Sequence, residues 1–229
     1  MKKDNSFLGI LGWLSLLVGL LLFVILSLSF FRPFYSYEYR VGNQAAYIGM
    51  SDEGLMGSTE TLLDYLQDKR QDIIYVTSVQ GSEREVFNER ETLHMVDVKN
   101  LYQGACTARN ILIPLGILIL IFFSYMQEKE NRFSALKKTY GKALICLGIF
   151  VACILVWALI DFNGFWFQFH YLFFDNDLFI LDPNTSIMIN MFPERFFSDL
   201  VFLIIGVYAI ILILLYVLLR VGDKHALKS

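Results

Sequence analysis

Residues 7–31 read FLGILGWLSLLVGLLLFVILSLSFF and carry no charged side chain. A helix needs about 20 mostly apolar residues to cross the hydrocarbon core of a bilayer, and this run is long enough. Three further runs resemble it, at 111–126, 143–160 and 200–219. Residues 111–126 are the shortest, with polar Asn110 and Gln127 able to extend the span at its ends. Pro114 falls near the start of that run, where a missing N–H costs little. Composition agrees with four spans. The chain is 56% hydrophobic and only 18% charged, and its mean hydropathy is +0.52. These values lie outside the range of an ordinary soluble domain. A net charge of −3 without a Lys/Arg stripe speaks against nucleic acid as a partner.

Lys2 and Lys3 followed by apolar residues imitate a cleavable leader. The apolar region is too long for one, however, and Phe30, Phe31, Arg32 and Pro33 are the wrong residues for a cleavage site. The first span is expected to remain as an anchor.

Orientation follows from Lys/Arg bias in the short loops. The 127–142 loop holds Lys129, Arg132, Lys137, Lys138 and Lys142 against Glu128 and Glu130. The 220–229 tail adds Arg220, Lys224 and Lys228. Residues 161–199 have one basic residue, Arg195, among six acids. The expected organisation is therefore a cytoplasmic 1–6, a span at 7–31 and an extracytoplasmic cap at 32–110. A span at 111–126, a basic cytoplasmic loop at 127–142 and a span at 143–160 follow. An outer aromatic-rich segment at 161–199, a span at 200–219 and a cytoplasmic 220–229 complete it. The fold class is an all-α four-helix transmembrane bundle with a small extracytoplasmic α+β cap.

Within the cap, Ser51 is placed to N-cap a helix carrying Leu55, Leu62, Leu63 and Leu66, with Gly54 and Gly57 weakening its first turns. Ile73 to Val79 reads as a strand, Gly81 and Ser82 as a turn, and Glu85 to Phe87 as a returning strand. Asn88 with Glu91 three residues on is a capping box. It opens a helix that runs to about Gly104 or leads directly into the second span.

Three histidines occur. His225 falls in the tail and reads as a solvated residue. His94 and His170 fall one in each outer segment. His94 and Asp97 are three apart on the helix opened at Asn88, so the carboxylate is positioned to orient the imidazole. His170 is surrounded in sequence by Phe162, Phe165, Trp166, Phe167, Phe169, Tyr171, Phe173 and Phe174. An aromatic belt at the headgroup level is the ordinary reading of such a cluster. Cys106 has no extracytoplasmic partner and no metal-type spacing, and Cys146 and Cys153 lie in the third span.

Two stretches resemble a known family. Glu91-Thr92-Leu93-His94-Met95-Val96-Asp97-Val98-Lys99 is similar to the His-x-x-Asp-Val-Lys segment of the lipoprotein intramolecular transacylases, integral membrane enzymes of low-GC Gram-positive bacteria. Phe169-His170-Tyr171-Leu172-Phe173-Phe174, Leu181-Asp182-Pro183 and Ile189 to Phe197 resemble that family's Phe-His-x-x-Phe-Phe, Asp-Pro and Met-x-Pro-Glu-x-Phe-Phe block. The chain departs from the pattern at Phe179, where a Trp often stands, and at Ser186, where an Asp is frequent.

The resemblance implies chemistry at the junction of cap and membrane, on the outer face of the bacterial cytoplasmic membrane. It implies His94 and His170 as the catalytic pair, with Asp97 and Lys99 in support and Trp166, Phe167, Phe173 and Phe174 lining the pocket. The implied substrate is a diacylglyceryl-modified lipoprotein, whose sn-2 acyl chain moves to the α-amine of its N-terminal cysteine. No cofactor or metal is required for that reaction, and membrane lipid is the surrounding partner. An ester hydrolase using the same pocket, and a non-enzymatic sensor or assembly factor, are the rival readings.

Overall fold

The computed structural model describes residues 5–226, so Lys2 and Lys3 of the leader reading and Lys228 of the orientation argument lie outside the described residues. The helices are α1 (Ser6–Leu28), α2 (Arg32–Gly42), α3 (Gln44–Ile48), α4 (Asp52–Leu66), α5 (Glu89–Tyr125), α6 (Arg132–Ile160), α7 (Phe162–Phe173), α8 (Ile187–Met191) and α9 (Glu194–Ala226). Two strands, β1 (Val76–Val79) and β2 (Ser82–Glu85), form the sheet, and a 3-10 turn at Lys129–Asn131 precedes α6. Among the described residues, four helices are long and apolar enough to cross a membrane. The chain divides into two compact units, residues 1–26, 105–160 and 202–229 in the first and 27–104 and 161–201 in the second.

The first unit is built around α1. Its Leu17 is fully buried, and Tyr208 of α9 donates its hydroxyl to the Leu17 carbonyl at 2.8 Å. Trp13 Nε1 donates to the Leu136 carbonyl of α6 at 3.1 Å, and its ring meets Tyr140 edge-on at 4.8 Å. Ser15 Oγ donates to the Leu112 carbonyl of α5 at 2.9 Å. Tyr208, Trp13 and Ser15 thus each find a backbone carbonyl as partner, as a site without water demands. Gly116 brings α5 against α1 so closely that a Cβ there would stand 2.5 Å from the backbone nitrogen of Leu16. The outward faces of α5, α6 and α9 expose Leu118, Ile121, Ile145, Ile149, Ile213 and Leu218. Apolar exposure on this scale marks a surface solvated by lipid.

The second span is one part of a much longer element. The helix opened by the capping box continues without a break through Gly104 to Tyr125, so Pro114 lies in its interior and not near its start. The capping box itself forms as the spacing predicts, Asn88 Oδ1 accepting from Glu91 N at 3.0 Å and Glu91 Oε2 from Asn88 N at 2.6 Å.

In the second unit, Ser51 caps α4 by accepting from Gly54 N at 3.0 Å, and Leu55, Leu62 and Leu63 are buried. Gly57 is there because the Tyr75 ring presses on the helix; a Cβ would overlap its hydroxyl. The hairpin differs from expectation. Its turn is Gln80-Gly81, both with positive φ, and Ser82 already pairs with Val79. A two-residue turn of that kind matches strand twist and fixes the register. β2 is the wholly exposed Ser-Glu-Arg-Glu stretch, which has no apolar pattern to announce it. Ile73 and Phe87, expected in strands, flank the hairpin as buried anchors.

Candidate active site

The second unit brings His94 and His170 together. Their ring centroids are 6.1 Å apart with the planes at 34°, and both side chains are buried. His94 is on α5, one turn beyond the capping box. His170 is on α7, whose N-terminus is capped by Asp161 through Gly164 N at 2.8 Å.

Each imidazole has a different polar environment. His170 Nδ1 lies 2.7 Å from the Trp166 carbonyl oxygen. A carbonyl only accepts, so Nδ1 carries the hydrogen and the neutral ring keeps its lone pair on Nε2. His94 Nδ1 is buried and has no hydrogen-bond partner among the described residues. Burial disfavours the charged form of both rings. It pushes His94 down to about 4, helped by the neighbouring His170 and Arg90 and opposed by Asp97. Burial lowers His170 as well, with the Trp166 carbonyl acting in the opposite sense. Two neutral imidazoles at neutral pH are the result.

The walls are aromatic. Phe179 stacks on His170 at 4.7 Å and 26°, and Trp166 and Phe169 meet it edge-on at 5.0 and 5.6 Å. Phe174 touches both rings, at 5.5 Å from His94 and 5.7 Å from His170. Trp166 is fixed in turn by Phe197, stacked at 4.2 Å.

Beneath His94, fully buried Glu91 ties the two chain segments together. Its Oε1 accepts from Ser186 Oγ at 2.6 Å and from Met188 N at 2.8 Å, while Oε2 completes the capping box. Three hydrogen-bond donors from two distant chain segments thus converge on this one buried side chain.

This arrangement of two histidine blocks coincides with a family match. The model of the lipoprotein intramolecular transacylase family, Lit, matches residues 10–197. The chain belongs to this family. Membrane-integral Lit from Bacillus cereus superposes with a TM-score of 0.76 at 18% identity, over 98% of this chain and 100% of that one. A variant of that protein with one histidine replaced by alanine gives a TM-score of 0.77 at 18% identity, over 97% and 95%. No curated protein sequence matches significantly. The protein is thus a membrane acyltransferase of the Lit family, and the mostly helical fold with four candidate spans and a small sheet is that of the Lit structures.

The site residues expected from the sequence fall into two groups. His94, His170, Trp166 and Phe174 come together. Phe167 and Phe173 do not meet either histidine; their ring contacts are with Phe179 at 6.1 Å and Phe169 at 5.0 Å, and both are exposed. Helical spacing placed them one turn from His170, but α7 turns those positions outward.

Asp97 does not bond His94. Its carboxylate accepts from Asn176 Nδ2 at 2.8 Å. Together with Arg90, which pairs with Asp177 at 3.1 Å and donates to the Ile180 carbonyl at 3.2 Å, it pins the 176–180 loop to α5. That loop carries Phe179 onto His170. Lys99 is engaged elsewhere, 2.5 Å from Asp68 and 4.2 Å above the Tyr65 ring. Five residues along a helix is about 140° of rotation from His94.

Phe169, Phe179, Glu91 and Ser186 were not among the expected site residues. Phe179 and Ser186 are the two positions where the chain departs from the family pattern, and both are buried in the site. Glu91 had a visible signal as the capping-box glutamate, yet nothing local announces the Ser186 it reaches. Among the described residues no group of three His, Cys, Asp or Glu is placed to hold a metal.

Proposed function

We propose that this transacylase moves the sn-2 acyl chain of a diacylglyceryl-modified lipoprotein to the α-amine of its N-terminal cysteine, with His94 and His170 as general acid–base pair. The observation that carries the reading is a pair of buried, neutral imidazoles 6.1 Å apart inside an aromatic enclosure.

The chemistry asks for little more. Ester aminolysis runs downhill to the amide, so no nucleotide is consumed. The amine nitrogen attacks the acyl carbon, and the tetrahedral centre then has to lose an N–H proton and deliver one to the departing glyceryl oxygen. The ester C–O bond breaks, an amide C–N bond forms, and one proton passes from nitrogen to oxygen. A free α-amine titrates near ~8 and histidine near ~6.5, close enough for imidazole to assist. His170 is the base in this reading, because its Nδ1–H is held by Trp166 and its Nε2 lone pair remains. His94 handles the second proton at the leaving oxygen. No covalent acyl-enzyme is needed, so Cys106 is a bystander.

Both reacting groups belong to one substrate, and the ring that joins them is large. Holding it folded is therefore a main part of catalysis. Phe174, Phe179 and Trp166 supply a rigid apolar enclosure that also keeps out the water that would hydrolyse the ester. The product is the lyso form of the lipoprotein. The site faces the outside of the bacterial cytoplasmic membrane, because the basic 127–142 loop belongs on the cytoplasmic side.

Mass spectrometry of lipoprotein N-termini from cells with and without the enzyme tests this reading. The expected change is an acyl group relocated from glycerol to the cysteine nitrogen with no change in total mass. Loss of the acyl mass would make the enzyme a hydrolase, and an acyl group arriving from another molecule would end the intramolecular scheme.

A further inference from the structure

The first unit contains a cavity of ≈ 410 Å³ that takes no part in the histidine site. Its walls include Ile117 and Leu120 of α5 and Leu219 of α9, and at one end stand Ser124, Tyr125 and Arg132. Ile117 and Ser124 are two helical turns apart, about 10 Å along α5. The cavity is therefore apolar along its length and polar at the end where the basic loop enters α6.

Arg132 is the unusual member. Its Nε is buried and has no hydrogen-bond partner among the described residues. No ion pair among the described residues uses its guanidinium. Its neighbour Lys137 on the same helix, by contrast, is paired with Asp223 of α9. A guanidinium stays charged under all ordinary conditions, and a partly buried charge calls for an anion. Its planar fork of donors suits two phosphate oxygens.

We propose that this groove binds an anionic glycerophospholipid, one acyl chain lying along Ile117, Leu120 and Leu219 and the phosphate resting on Arg132, Ser124 and Tyr125. The volume falls in the range of ordinary small-ligand sites. The surroundings favour an anionic headgroup over a zwitterionic one, since the 127–142 loop carries five basic residues against two acids and repels an ammonium. The lipid joins α5, the start of α6 and α9 at the loop end of the bundle. It has no part in the acyl shift.

Native mass spectrometry and thermal unfolding of the detergent-purified protein test the site. Phosphatidylglycerol is expected to stay bound about tenfold more tightly than phosphatidylethanolamine and to raise the unfolding temperature, with inorganic phosphate alone doing neither. Arg132→Gln should abolish that preference. Ile117→Trp, which fills the groove and leaves the charge, should lose the lipid altogether. Lys138→Gln, an exposed charge of the same loop, should change nothing. The proposal is overturned if Arg132→Gln keeps the wild-type preference, if phosphate alone protects equally, or if the unaltered protein does not distinguish the two lipids. The last comparison needs no variant and stands even where a substitution fails to fold.

Discussion

Ser186 donates its hydroxyl to the buried carboxylate of Glu91 at 2.6 Å, joining residues 95 apart in the chain. Glu91 is one turn before His94 on α5, and Ser186 caps α8 in the segment that follows His170, accepting from Ile189 N at 3.2 Å. The bond is a short strut between the two halves of the histidine site. Taking away one donor leaves a buried carboxylate under-satisfied, which costs ~1–3 kcal/mol. Ser186→Ala should therefore lower the unfolding temperature of the detergent-purified enzyme and reduce kcat about tenfold with KM little changed. Ser186→Thr keeps a hydroxyl and should recover most of both. An alanine variant with wild-type stability and turnover would show that the strut is idle.

Phe179 and Phe173 offer a contrast on one site. Phe179 is stacked on His170, whereas Phe173 is half-exposed and touches Phe169. Burial is the first cause of the lowered His170 proton affinity, so opening the stack admits water and lets the imidazole titrate higher. Phe179→Leu should cut kcat by about tenfold and shift the acid limb of the pH–rate profile upward. For Phe173→Leu the expected change is less than about twofold in kcat, with the limb unmoved. Equal effects from the two would mean that the stack does not set the state of His170.

Sidedness rests on the Lys/Arg asymmetry alone and is open to direct labelling. Gln80, Asn184 and Ser134 are all exposed, so a cysteine placed at any of them is within reach of a reagent on its own side of the membrane. Ser186, in the same outer segment, is buried and unsuitable. A maleimide that cannot cross the membrane should modify probes at 80 and 184 in intact cells and leave one at 134 unmodified until the cells are opened. Labelling at 134 in intact cells would reverse the orientation and put the histidines inside.

The spans were legible because lipid imposes a composition, and charge-free runs in the sequence are that composition. Helix ends with side-chain caps were legible too, at Ser51 and at Asn88 with Glu91, since cap and helix lie within four residues. What the sequence did not reveal depends on distant partners. Phe167 and Phe173 were expected in the pocket because helical spacing alone does not say which side of α7 faces His170. Asp97 has the right spacing to orient His94, but Asn176, 79 residues on, holds its carboxylate. β2 carries no apolar alternation, so only the Gln80-Gly81 turn marks its register. Pro114 read as a helix start because the apolar run begins there, while the backbone helix begins much earlier at Glu89.

The histidine pair makes the sharpest claim about mechanism. If the two rings pass protons within one tetrahedral centre, removing either disables the relay. Losses in such a unit do not multiply. General acid–base help is worth ~10²–10⁴-fold. His94→Ala, His170→Ala and the double variant should each lose activity to that extent and to a similar degree, while inserting normally. His225→Ala and Cys106→Ala should keep nearly full activity. Independent, multiplying losses would make positioning by the aromatic walls the main source of catalysis.

Acid pH should weaken the fold through the same residues. An unfolded histidine takes up its proton near ~6.5, while folded His94 holds out to about 4. Between those values the unfolded chain binds more protons, so the stability contributed by the neutral imidazole is complete above pH ~6.5 and drains away as pH falls toward 4. Linkage puts the loss from His94 at about 2 kcal/mol by pH 5. His170 adds to it in the same direction. Glu38 acts oppositely, because burial and then Asp199 raise its carboxyl and let the folded state take the extra proton. A comparison of variants separates these groups. Unfolding temperatures measured at pH 7.5, 6 and 5 should fall steadily for the wild-type enzyme and less steeply for His94→Gln, whose side chain does not titrate. The Glu38 contribution is common to both proteins and cancels in the difference. If the two curves run parallel, His94 is solvated in the folded enzyme, and its neutral role in the acyl shift fails with it.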